Sequence, residues 1–253
     1  MIFSRVYGEG QPLIIIHGLF GMSDNWNALG KRFAEEFNVH IVDLRNHGRS
    51  FHSDDFSYND MAEDIEKYIQ SANLGNPIVI GHSLGGKVAI NLCCRKKIGF
   101  SKLVVVDISP KSYSIDFHKN ILEVLNSISI KDFSSRAEID EALSLDIKEV
   151  SVRQFLMKNL YRDQNKQFSW RLNIKVLKEK LDNISGAEFL QESIDTPTLF
   201  LKGGMSNYIN EDDEKIISTH FINSQLNTIV GSGHWIHAEK PELFYNYVMK
   251  FIA

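Results

Sequence analysis

The stretch Gly81-His82-Ser83-Leu84-Gly85 follows the apolar run Pro77-Ile78-Val79-Ile80 and leads into the helix-like Gly86-Lys87-Val88-Ala89. A G-x-S-x-G sequence between a strand and a helix makes a turn too crowded for a β-carbon at its glycines. Such a turn pushes the serine side chain out of the sheet, so Ser83 is a candidate nucleophile. A serine hydroxyl is weak at neutral pH. It needs a base to take its proton and a third group to orient that base. The candidate base is His234, in the glycine-rich Gly231-Ser232-Gly233-His234-Trp235, between the last strand-like run and the last helical run.

The candidate acid is Asp107. It ends the run Val104-Val105-Val106, directly after the nucleophile helix. Active sites of open α/β sheets lie outside the carboxyl ends of the strands. In this fold class the acid usually sits in a G-x-x-D turn after the penultimate strand. Here that turn reads Gly203-Gly204-Met205-Ser206, with Ser206 in the acid's place. Asp212 and Asp213 are rivals, but they open a helix, where acids are favoured in any case. The plainer reading of Asp107 is a strand-end cap for the turn at Pro110.

Acyl transfer also needs backbone N–H groups to hold the oxyanion. Leu84, the residue after the nucleophile, should supply one. The turn His17-Gly18-Leu19-Phe20-Gly21 should supply the other, with Leu19 as donor and Phe20 as fallback. His17 reads as a brace for that loop. A further turn, Asp43-Leu44-Arg45-Asn46-His47-Gly48-Arg49-Ser50, reads as a tight structural loop beside the site. No metal or cofactor is called for.

The elements that must position these groups follow from hydrophobic patterning. Leu13–Ile16, Val39–Val42, Ile78–Ile80, Leu103–Val106, Thr198–Leu201 and Asn227–Val230 are short apolar runs that read as buried strands, and Ile2–Val6 as an edge strand. Tyr58–Ile69, Leu84–Cys94 and Pro241–Ile252 read as helices between or after them. This alternation predicts an α/β fold: a mostly parallel central sheet with helices on both faces. The rhythm breaks between about Lys111 and Ser193, a stretch too long for an ordinary loop. Helical stripes there, Ile121, Val124, Leu125 and Ile128, then Val152, Phe155, Leu156 and Leu160, predict a helical cap. The expected organisation is a core of 1–110 and 194–253 with a cap of 111–193.

Composition narrows the function classes. A chain of 253 residues that is 43% hydrophobic suits one large α/β domain with an insertion. A net charge of -4 offers no basic field for nucleic acid and no polybasic membrane anchor. Cys93 and Cys94 are adjacent, which fits neither ordinary disulfide geometry nor metal-ligand spacing. No run suits a signal peptide or membrane span, so a soluble, cytoplasmic protein is expected.

Taken in order, HGLFG (17–21), DLRNHGRS (43–50), GHSLGG (81–86), VVVDISP (104–110), GGMS (203–206) and GHWIHAEKPE (233–242) resemble the α/β-hydrolase superfamily over nearly the whole chain. The order Ser83, Asp107, His234 is that superfamily's triad order. Within the superfamily, these blocks resemble the YbfF-like and abhydrolase-domain-11-like serine esterases. The resemblance implies a cap inserted after the sixth strand, an acid in the DISP-like block, and carboxylesterase activity on short- to medium-chain acyl esters. It also implies acyl-CoA thioesters as possible substrates. Trp170-Arg171-Leu172-Asn173 is similar to a W-R-F-N block in that subfamily's cap. Phe20, Trp170, Asn173 and Trp235 are accordingly candidate pocket residues, the alternative for the cap pair being packing within the lid. Competing readings are another reaction on the same fold (thioesterase, C–C hydrolase, lyase or perhydrolase), a non-catalytic ligand-binding protein, and a purely structural domain.

Overall fold

The computed structural model describes residues 1–187 and 193–253. In chain order the core begins with strands β1 (Phe3–Tyr7) and β2 (Pro12–Ile16), helix α1 (Asn27–Phe33), β3 (Asn38–Asp43) and α2 (Tyr58–Ser71). It continues with β4 (Ile78–His82), α3 (Leu84–Cys94) and β5 (Lys102–Val106). An insertion follows: α4 (Asp116–Ser127), α5 (Arg136–Ser144), α6 (Val150–Met157), a hairpin of β6 (Leu160–Arg162) and β7 (Phe168–Trp170), then α7 (Ile174–Glu179). The core resumes with β8 (Thr198–Gly203), α8 (Glu211–His220), β9 (Ser224–Ile229), α9 (Ile236–Glu239) and α10 (Pro241–Ile252).

The seven core strands form one sheet in the order β1-β3-β2-β4-β5-β8-β9. Only β1 runs antiparallel, against β3. The near-continuous apolar runs are explained by burial on both faces. Ile14, Ile16, Val79 and Val105 join one cluster, with α2, α3 and the insertion. Their neighbours Leu13, Ile15, Ile78, Ile80, Val104 and Val106 join a second, with Phe33 of α1 and Phe244 and Val248 of α10. The chain leaves β2 toward β3 on one side and β4 lies on its other side. The carboxyl ends of β2 and β4 therefore meet where the strand order reverses, the usual place for a site in such sheets.

Three sequence expectations need adjustment. The insertion follows β5, the fifth strand among the described residues, not a sixth. The insertion is mostly helical, but it also holds a hairpin, in which Leu160–Arg162 and Phe168–Trp170 pair. These strands are three residues each, too short for a periodicity to be read. The last core strand starts at Ser224 instead of Asn227: its polar first half is recruited by parallel pairing with β8 and not by apolar content. Residues 188–192, inside the expected cap, lie outside the described residues.

Lys87, one turn beyond Ser83 on α3, is 2% exposed and ties the insertion down. Its ammonium donates to the carbonyls of Lys111 at 2.6 Å and Gly186 at 2.8 Å, one on each side of the insertion. Tyr113 N–H donates to Ser185 C=O at 2.9 Å, linking the two connecting segments directly. Among the described residues, no helix is long and apolar enough to cross a membrane.

Candidate active site

Ser83 sits at the turn between β4 and α3 with φ 52° and ψ -117°, a conformation non-glycine residues rarely adopt. The surroundings hold it there. A β-carbon on Gly81 would lie 2.3 Å from the Gly85 carbonyl oxygen, and one on Gly85 would lie 2.4 Å from that of Ile16. The glycines thus let α3 start against the end of β2. Leu84 is the first residue of α3, so its N–H has no acceptor within the helix.

The turn after β2 lies against the serine: a β-carbon on Gly18 would lie 3.2 Å from Ser83 Cβ. The Gly18 carbonyl accepts from His17 Nδ1 at 2.8 Å and from Gly21 N–H at 2.9 Å. Two donors on that carbonyl fix the Gly18–Leu19 peptide plane. The Leu19 N–H, trans to it, is left pointing the other way. His17 Nε2 accepts from Leu44 N–H at 3.0 Å, so the imidazole is neutral with its proton on Nδ1. It joins the 17–21 turn to the 43–50 turn. Phe20 adopts φ 63°, and its carbonyl accepts from Asn159 Nδ2 of the insertion at 2.8 Å.

Asp107 is fully buried at the end of β5 with φ 49°. Its Oδ2 accepts from His234 Nδ1 at 2.7 Å and from Ser206 Oγ at 2.5 Å, and its Oδ1 from Gly203 N–H at 2.9 Å. Pairing of β5 with β8, Val106 opposite Leu201, brings the two strand ends together. The carboxylate and the 203–206 turn then share one space. Ser206 stands in the usual acid position and donates to Asp107, one strand away. That role was missed in the sequence, where Ser206 read only as a missing aspartate. A hydroxyl in that slot was the available signal. Asp213 and Asp212 face elsewhere: Asp213 closes a capping box with Asn210 and pairs with Lys111 at 2.7 Å, and Asp212 pairs with Lys215 at 3.3 Å.

His234 donates from Nδ1, so Nε2 carries the lone pair. The loop holding it is anchored by His82 Nε2, which donates to the His234 carbonyl at 2.9 Å, and the Tyr208 ring stacks on the imidazole at 3.9 Å. Ser83 and His234 line one cavity of about 440 Å³, but no hydrogen bond joins them. In ligand-free enzymes such links are often long and tighten only with substrate.

Leu19, Phe20 and Trp235 line this cavity as well. Trp170 and Asn173 do not. Asn173 is turned to the core, its backbone N–H donating to the Asn46 carbonyl and its Nδ2 to Asn46 Oδ1, both at 3.0 Å. Trp170 pairs with Leu160 in the hairpin. The cap residues that do line the cavity include Phe117, His118, Ile121, Val152 and Phe155. Of these, Ile121, Val152 and Phe155 stood in the sequence only as core-facing stripes.

Two predictions arise here. Ser206→Ala removes one hydrogen bond to a buried carboxylate and is expected to lower kcat roughly tenfold, measured on any turned-over ester. The second concerns pH. Burial lowers His17 to about 4; burial and then the charge of His17 lower His47 to about 3; burial and then His234 lower His237 to about 3. The unfolded chain takes up these protons near pH 6.5, so it binds more protons than the folded state below that value. Stability therefore falls as pH drops through 6.5 and keeps falling to about 3, with His17 adding nothing further below about 4. At about 2 kcal/mol per imidazole at pH 5, thermal melting should show Tm lower by on the order of 10 °C than at pH 7.5.

A family profile described as the alpha/beta hydrolase fold matches residues 11–241. The sn-1-specific diacylglycerol lipase ABHD11 of Danio rerio is 36% identical over 252 residues, 97% of this chain and 79% of that protein. Esterase YbfF of Escherichia coli is 32% identical over 244 residues, 96% and 94% of the two chains. Among solved structures, a marine microorganism esterase aligns with a TM-score of 0.94 at 39% identity, covering 99% of both chains.

Proposed function

The chain belongs to the α/β-hydrolase family, among relatives named as esterases and a lipase, and we propose that it is a serine carboxylesterase acting on short- to medium-chain acyl esters. The observation that carries this reading is the pairing of buried Asp107 with His234, which fixes the imidazole tautomer beside a cavity that holds Ser83. Substrate closes the link between His234 Nε2 and the serine. Ser83 then attacks the ester carbonyl as His234 takes its proton. Asp107 stabilises the imidazolium. The N–H groups of Leu19 and Leu84 receive the oxyanion. His234 returns the proton to the leaving alcohol, and water activated by the same imidazole releases the acid.

The test is hydrolysis of p-nitrophenyl esters from acetate to palmitate, with a diacylglycerol and an acyl-CoA thioester in parallel. The reading expects turnover highest among the shorter p-nitrophenyl esters. Absence of turnover on every oxygen ester would overturn it, and a thioester preference would replace it with thioesterase.

A further inference from the structure

The space around Ser83 has two parts. The larger, of about 440 Å³, is shared with His234; a smaller one of about 40 Å³ runs beside Lys87 and Tyr113. Leu19, Ser83, Ser114, His118 and Tyr208 line both. Of these, Ser114 is engaged, its hydroxyl donating to Asp116 Oδ2 at 2.7 Å. His118, in the first turn of α4, is different. Its ring lies 6.0 Å from that of Phe20 and 5.6 Å from that of Phe117, and among the described residues its imidazole makes no hydrogen bond. It therefore offers a donor and an acceptor to whatever fills the cavity.

Burial, then the nearby charge of His234, lower His118 to about 4, so the ring is neutral at neutral pH. A neutral imidazole has no charge with which to attract a carboxylate or phosphate. It matches an uncharged group that both donates and accepts, of which a hydroxyl is the smallest. The leaving oxygen of an ester must face His234 to receive its proton. His118 and His234 both line the larger part of this space.

We propose that His118 is a specificity-determining residue that hydrogen-bonds a free hydroxyl carried on the alcohol portion of the ester. The proposal rests on the esterase reading above. A site that hydrogen-bonds a substrate hydroxyl discriminates against the analogue lacking it, because its own polar group is then left unpaired.

The test compares 2-hydroxyethyl butyrate with propyl butyrate, which differ by hydroxyl against methyl at equal chain length. The readout is the ratio of their kcat/KM values, divided by the ratio of their alkaline hydrolysis rates. The parent protein is expected to favour the hydroxylated ester by about 5- to 30-fold, the worth of one hydrogen bond. His118→Leu should bring the corrected ratio to about 1, and His118→Gln, which keeps a donor and an acceptor, should restore part of it. A merely structural role would change both rates together and leave the ratio alone. The proposal falls if the parent protein shows no preference, or if His118→Leu keeps it. Either outcome alongside turnover of p-nitrophenyl butyrate leaves the esterase reading standing. No turnover of these three esters or of any other oxygen ester overturns both.

Discussion

Asp107→Asn is expected to lower kcat by about 10⁴-fold with little change in fold. The magnitude follows from which atoms face which. Asp107 Oδ1 accepts from the Gly203 N–H, so an asparagine at 107 must keep its carbonyl oxygen there. Its amide NH₂ then points at His234 Nδ1 and Ser206. A donor facing Nδ1 forces the imidazole proton onto Nε2, the nitrogen that takes the serine's proton in the proposed mechanism. The variant loses the base as well as the charge that stabilises the imidazolium. Asp213→Asn is the contrast. It loosens the Lys111 pair and the α8 capping box, so Tm should fall while kcat stays within a few-fold. Equal losses in the two variants would contradict the placement of the acid.

Ser83→Ala is expected to lower kcat by about 10⁵-fold or more, to the level left by oxyanion stabilisation and binding alone. Its effect on stability should be small and of either sign. The strained φ of 52° remains with alanine, while the turn, held by Gly81 and Gly85, loses only a hydroxyl that makes no hydrogen bond to His234. Steady-state rates on p-nitrophenyl butyrate check the first part, and thermal melting the second. A residual rate within a hundredfold of the parent would mean that another group carries the reaction.

The inner sheet was legible in the sequence because β2, β4 and β5 are buried on both faces and read as short apolar runs, whereas the polar first half of β9 was not. Ser83 was legible because its turn demands glycines at fixed offsets. The departure at Ser206 was legible too, as an absence, and it directed attention to Asp107. What Ser206 does was not legible, because it depends on β5 and β8 lying side by side, and a parallel pairing leaves no local trace. The cap was the least readable part. Its stripes gave α4 and α6, but Asn173 is set by a contact with Asn46, over a hundred residues away, and Asn159 by one with Phe20. Lys87 was passed over for the same reason: beside the serine in sequence, it acts on carbonyls at both ends of the insertion.

The most direct measurement is the intact mass of the protein after exposure to a fluorophosphonate, followed by peptide mapping. Nucleophilic catalysis by this serine predicts one adduct per chain, located on Ser83, abolished by Ser83→Ala and much slowed by Asp107→Asn. An unmodified chain, or an adduct on any other residue, would contradict it.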